Sequence, residues 1–79
     1  MHHIRRHDVT VLEAEDACFG SPLFRQSYDG RILAIGPTRT ARMVAVALDP
    51  EGGGVFYPVT ARPASRKERR RYEANRQGG

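Results

Sequence analysis

Apolar positions in this chain take helical spacing near the start, condense into short continuous runs in the middle, and thin to a sparse helical stripe at the end. The first signal is Thr10-Val11-Leu12-Glu13. A threonine three residues ahead of a glutamate forms a capping box: the hydroxyl accepts the Glu13 amide and the carboxylate accepts the Thr10 amide. A helix over residues 11–18 is therefore expected, with Val11, Ala14 and Cys18 sharing a face, Leu12 and Phe19 widening it, and Gly20 supplying a left-handed stop. Ser21-Pro22 then breaks the chain. Leu23 to Ser27 reads as a weak strand, and Tyr28-Asp29-Gly30 as a turn.

Arg31 to Gly36 and Arg42 to Leu48 are two apolar runs joined by Pro37-Thr38-Arg39-Thr40-Ala41, a length suited to a hairpin. The second run is apolar without alternation. A strand covered on both faces has that pattern, so it is the expected centre of a sheet, with helices on one side and a loop or partner on the other. Asp49-Pro50-Glu51-Gly52-Gly53-Gly54 predicts a turn, and Val55 to Ala61 a returning strand. Pro58 has no amide for a ladder, so it requires an edge, a bulge or an outward position.

Ser65-Arg66-Lys67-Glu68 is a second capping box, predicting a helix from Arg66 to about Asn75. At 100° per residue, Ala64, Glu68, Arg71 and Tyr72 lie together, while Arg66, Arg69, Arg70 and Glu73 lie opposite. Burying little more than Ala64 and Tyr72 gives this helix about 2 to 3 kcal/mol from its side chains. The pattern as a whole is α+β: a short amino-terminal helix, an antiparallel sheet of three to four strands, and a carboxy-terminal basic helix in a single domain spanning residues 1–79.

Charge changes the picture at one end only. The chain has 13 Lys and Arg against 9 Asp and Glu, a net charge of +4. Residues 62–76 alone carry +5, leaving −1 for the remainder. A field so localised points to a polyanion, nucleic acid first. One cysteine, Cys18, forms no internal disulfide and reads as a small buried hydrophobe. No cluster of Cys and His builds a structural zinc site, so no metal or other cofactor is expected. No apolar run approaches the ~20 residues of a membrane span, and the polar start lacks a secretory apolar stretch, so a cytoplasmic protein is expected.

Arg6-His7-Asp8-Val9-Thr10-Val11-Leu12-Glu13-Ala14, the strands Arg31 to Gly36 and Met43 to Leu48, and above all Thr60-Ala61-Arg62 with Ala64, Glu68-Arg69 and Tyr72-Glu73 resemble the BrnT family. The resemblance runs through most of the chain in order. It implies a RelE-like fold, a ribonuclease toxin of a bacterial type II toxin-antitoxin pair that inhibits translation, and RNA as the polyanion. It further implies a BrnA-like antitoxin as partner and a possible toxin homodimer within a heterotetramer. Members of that family open with a strand and a lysine-bearing helix ahead of the His-containing turn. Here only Met1 to Arg5 precede Arg6-His7, so the expectation is either a start that lies upstream or a shortened, degenerate copy whose sheet lacks an edge strand.

Metal-independent RNA cleavage uses the 2′-hydroxyl as nucleophile, and the protein must take its proton, neutralise the phosphorane and protonate the leaving oxygen. Arg62, at a strand end facing the last helix, is the first candidate for a bidentate hold on phosphate. Arg69 is the second candidate for charge stabilisation. Tyr72 could stack on a base or donate its phenol, and His7 could exchange protons near neutrality. Arg66, Lys67, Arg70 and Arg71 would hold the RNA backbone. Each has a plainer reading: Glu68 as the partner of Ser65 rather than a base, Tyr72 as a core anchor, His7 as a solvated turn residue, the cations as a solvated face. Beside the toxin, a non-catalytic nucleic-acid-binding module and an interaction protein with an acidic partner remain open.

Overall fold

The computed structural model describes residues 5–27 and 29–78. Along the chain run β1 (Arg5–Arg6), α1 (Val11–Phe19), β2 (Leu23–Gln26), β3 (Ile32–Pro37), β4 (Met43–Gly52), β5 (Val55–Pro63) and α2 (Arg66–Gly78). The strands form one sheet in the order β1-β5-β4-β3-β2, with α1 on one face and α2 on the other. The sheet has five strands, not three to four, and it is mixed. Arg5-Arg6 lies parallel to β5, pairing Arg5 with Thr60 and Arg6 with Ala61, so the expected missing edge strand is supplied by the residues just ahead of His7. Two consecutive arginines carry no hydrophobic alternation, which is why the pattern conceals this strand.

β4 lies at the centre, as its unbroken apolar run predicts. Val44, Val46 and Leu48 join Val9, Ala14, Ala17, Ala34 and Ala61 beneath α1. Ala45 joins Ile35 and Tyr72 on the opposite face, so the second cover is α2 itself. β4 also runs further than expected. Its ladder continues through Asp49 and Pro50 to Gly52, and the turn shrinks to Gly53-Gly54, whose φ values of 62° and 79° suit a two-residue hairpin. Register shifts accommodate the extra residues, one of them beside Pro58, which pairs with Leu48 while Thr60 pairs with Ala47. The proline therefore sits at a bulge, beyond the short reach of β1 on its other side.

α1 begins as predicted, with Thr10 N–H donating to Glu13 Oε1 at 2.9 Å and Glu13 N–H to Thr10 Oγ1 at 3.1 Å. Its buried face differs from expectation. Ala14 and Ala17 are buried with Cys18 partly so, while Val11, Leu12 and Phe19 remain exposed. Small residues win because the helix lies close on the sheet: a Cβ on Gly36 would stand 2.7 Å from the Ala17 carbonyl oxygen. Gly20 ends the helix with its N–H on Asp16 O but takes φ −80°, not the left-handed conformation. α2 starts after Ser65 and extends past Asn75.

Two hairpins share one construction. Ser27 N–H bonds Arg31 O while Gly30 N–H bonds Ser27 O; Thr38 N–H bonds Arg42 O while Ala41 N–H bonds Thr38 O. The residue before each closing position has positive φ, Gly30 at 85° in the first and Ala41 at 66° in the second. Tyr28, part of the first expected turn, lies outside the described residues. No helix among the described residues is long and apolar enough to cross a membrane.

Candidate nucleic-acid interface

The start of α2 is built by one carboxylate. Glu68 N–H donates to Ser65 Oγ at 3.1 Å, and Glu68 Oε1 accepts Ser65 N–H at 2.8 Å, closing the capping box. The same carboxylate takes the Arg62 guanidinium in a fork, Nη1 to Oε1 at 2.7 Å and Nη2 to Oε2 at 2.8 Å. Arg62 Nη1 also donates to Pro63 O at 3.3 Å. The guanidinium beside it, then the Ser65 amide, hold the Glu68 carboxyl below its ordinary range, with desolvation opposing, and Glu68 in turn raises Arg62. Arg62 was the residue expected to fork onto phosphate. Its fork is taken up inside the molecule, tying the end of β5 to the first turn of α2.

Tyr72 takes the anchor role. It is 8% exposed, packs with Ile35 and Ala45, and donates its phenol to Ser21 O at 2.8 Å. Neither its ring face nor its hydroxyl is presented to solvent for base stacking or proton donation. Ser21 is a partner that the sequence did not suggest, since a backbone carbonyl after a helix end leaves no side-chain signature.

The cations of α2 are placed differently. Arg66, Lys67, Arg69, Arg70 and Arg71 are all exposed, and among the described residues no carboxylate lies within 4.0 Å of any of them. Arg66, Arg69 and Arg70 come together with Glu73, Ala74 and Met43 around a shallow groove of about 540 Å³. That grouping is the one the helical wheel predicts. Arg71, expected on the Tyr72 side, is exposed instead. By contrast, Arg31 pairs with Asp29, Arg39 with Asp16 and Arg42 with Glu13.

His7 is exposed, and its backbone N–H donates to Ala61 O at 3.0 Å, setting it alongside the strand end that leads into Arg62. The parallel β1 thus brings His7 and Arg62 to one corner of the sheet, away from the core position of Tyr72. Cys18 packs against the core beneath α1, and burial pushes its thiol up, as suits an inert side chain. Among the described residues no group of His, Cys, Asp and Glu side chains is placed to hold a metal ion.

Fold and site together define a small α+β domain that presents one cation-covered helix on a sheet it otherwise barely grips. Comparison with protein-family models, with curated proteins and with solved structures finds no match to this chain, the BrnT family included.

Proposed function

We propose that this chain is an RNA-binding domain that grips phosphates through the outer face of α2. The observation that carries the reading is the cluster of unpaired cations on one helix: Arg66, Lys67, Arg69, Arg70 and Arg71 stand exposed with no carboxylate among the described residues, whereas of the cations elsewhere Arg31, Arg39, Arg42 and Arg62 are each held by one and only Arg5, Arg6 and Arg25 are not. Solvated cations spaced along a helix follow a phosphate backbone and release its counterions, giving affinity with little sequence information. The BrnT resemblance makes the polyanion RNA.

A second reading, the ribonuclease toxin, is favoured by the corner that joins His7 to the end of β5. In that reading His7 exchanges the proton, Arg69 or a released Arg62 stabilises the phosphorane, the domain is a variant of the RelE-like fold, and a BrnA-like antitoxin covers α2. Arg62 would first have to exchange Glu68 for phosphate.

Both readings are tested on mixed-sequence single-stranded RNA with chelator present, by titration from about 50 to 500 mM salt and by gel. The binding domain gives affinity that falls steeply with salt, and Arg66, Arg69 and Arg70 together replaced by Ala flatten the log–log slope by about 2, at roughly 0.7 per phosphate. Absence of binding at the lowest salt sinks the proposal. Cleavage products lost in His7→Ala, together with growth arrest on expression, select the toxin; intact RNA selects the binding domain.

A further inference from the structure

One register row runs straight across all five strands. Arg5 of β1 lies opposite Thr60 of β5, Thr60 opposite Ala47 of β4, Ala47 opposite Leu33 of β3, and Leu33 opposite Arg25 of β2. Side chains alternate between the two faces of a sheet, and Leu33 packs with Ile35, Ala45 and Tyr72, so the whole row lies on the α2 face. The neighbouring row on that face, Leu23, Ile35, Ala45 and Arg62, is the one beneath α2, where Ile35 is 0% and Ala45 1% exposed. Leu33, Ala47 and Thr60 are only partly buried, although β4 is the central strand. α2 therefore covers one row and leaves the next open.

The open row has a charge pattern of its own. Its two ends are arginines, and among the described residues no carboxylate lies within 4.0 Å of either. Between them lie the side chains of Leu33 and Ala47 and that of Thr60, whose hydroxyl makes no hydrogen bond among the described residues. Four intervals of about 4.8 Å between strands set the two arginines ~19 Å apart along the sheet. One border of the row is α2 itself. Its groove of Arg66, Arg69 and Arg70 includes Met43, which lies on the far side of Ala45 from Ala47, so by helical spacing the flank toward the open row carries Lys67 and Arg71. At the other border Asp49 pairs with Tyr57 on the same face, and its carboxylate turns phosphate away from that side.

We propose that this row is a platform for the bases of single-stranded RNA, which crosses the strands between Arg5 and Arg25 alongside α2. The inference rests on the RNA-binding reading of α2 and adds to it the form of RNA that is bound. Cations on a helix grip the phosphates of a duplex and of a single strand alike. An uncharged floor between two cations serves only a strand whose bases are free. Its phosphates go to Arg5, Arg25 and the flank of α2, its bases lie over Leu33 and Ala47, and the Thr60 hydroxyl meets a base edge or a 2′-hydroxyl. In an A-form duplex the bases are stacked inside the helix and their faces cannot reach the floor.

Fluorescence anisotropy on the full chain, with a mixed-sequence RNA single strand and with the same strand annealed to its complement, tests this. The single strand is expected to bind at least about tenfold tighter, within what contact with a single base supplies. Arg5→Ala combined with Arg25→Ala is expected to flatten the single-strand log–log salt slope by about 1.4, at roughly 0.7 per phosphate, and to leave duplex affinity unchanged. Replacing Arg66, Arg69 and Arg70 together by Ala weakens both forms. Equal affinity of the wild type for the two forms overturns the inference and leaves the α2 reading standing, and this comparison decides even where the double variant fails to fold. A folded double variant that weakens both forms alike overturns it too. Binding of neither form at the lowest salt removes the α2 reading, and the platform falls with it.

Discussion

The two helices begin with the same device and end in opposite states. Thr10 and Glu13 cap α1, Ser65 and Glu68 cap α2, and in both the cap glutamate also holds an arginine from the sheet side, Arg42 just ahead of β4 for Glu13 and Arg62 of β5 for Glu68. Beyond the first turn they diverge. α1 lies close on the sheet through Ala14 and Ala17, and its Asp16 is taken by Arg39 through both side chain and backbone. α2 is held by one large side chain and leaves its cations unpaired. Local capping therefore says where a helix starts but not what it is for. Among the described residues, most of the charge left over after the fold has formed its own pairs lies on α2, with Arg5, Arg6 and Arg25 the others, and that concentration is what the proposed function rests on.

The sharpest way to break this contrast is at the anchor. Tyr72→Ala removes the one large buried side chain that α2 contributes, at an expected cost of about 3 to 5 kcal/mol. For a domain of this size that is most of the available stability. Urea denaturation followed by circular dichroism should show loss of the fold or of α2. Tyr72→Phe keeps the packing and loses only the bond to Ser21 O, costing about 1 kcal/mol. If both substitutions cost the same, the anchor is the hydrogen bond and not the ring.

The corresponding weak point beneath α1 is a close approach. Gly36→Ala puts a methyl 2.7 Å from the Ala17 carbonyl oxygen, which is backbone and cannot swing aside. The expected loss is about 1 to 3 kcal/mol by thermal unfolding, the usual range for overpacking. No loss would mean that α1 rides loosely enough to shift, and the proposed difference in how the helices are held would fail.

The same hairpin construction used twice allows a gain. Gly30 and Ala41 occupy equivalent left-handed positions, but only Gly30 is free of a Cβ penalty. Ala41→Gly should stabilise by about 1 kcal/mol, the low end of the left-handed cost for an L-residue, seen as a higher urea midpoint. An unchanged midpoint would show that unfolded-state entropy offsets the relief.

Both capping boxes, the central strand, the β3–β4 hairpin and the grouping of Arg66, Arg69 and Arg70 were legible in the sequence because each is written in local spacing. What was not legible depends on residues far apart in the chain. Arg5-Arg6 carries no strand pattern and becomes one only because β5 offers an edge. Asp49-Pro50 reads as a turn until Phe56 and Tyr57 pair with it. Val11, Leu12 and Phe19 look like a core face, but Gly36 lets the alanines approach first. At the candidate site, Arg62 and Glu68 were each singled out, one for phosphate and one for the cap, and their fork on one another follows from a strand end folding back over a helix start. Tyr72 took the plainer of its two roles, because its phenol meets a carbonyl 51 residues away in the chain.

The smallest expected effect separates the cap from the ion pair at Glu68. Its carboxyl is held below the ordinary range in the folded state, chiefly by Arg62. A depressed folded pKa contributes stability that is fully present above the unfolded value and is lost as pH falls through the folded one. Glu68→Gln keeps an oxygen to accept the Ser65 amide but has no charge to titrate. At neutral pH the wild type should therefore be more stable than Glu68→Gln by about 1 kcal/mol or less, given how exposed Arg62 is. Urea midpoints measured down through the acid range should converge as the Glu68 carboxylate protonates. A gap that persists unchanged at the acid end would show that Glu68 acts through shape and capping alone. In that case Arg62 is bound loosely enough to leave for a phosphate, and the ribonuclease reading gains the residue it lacks.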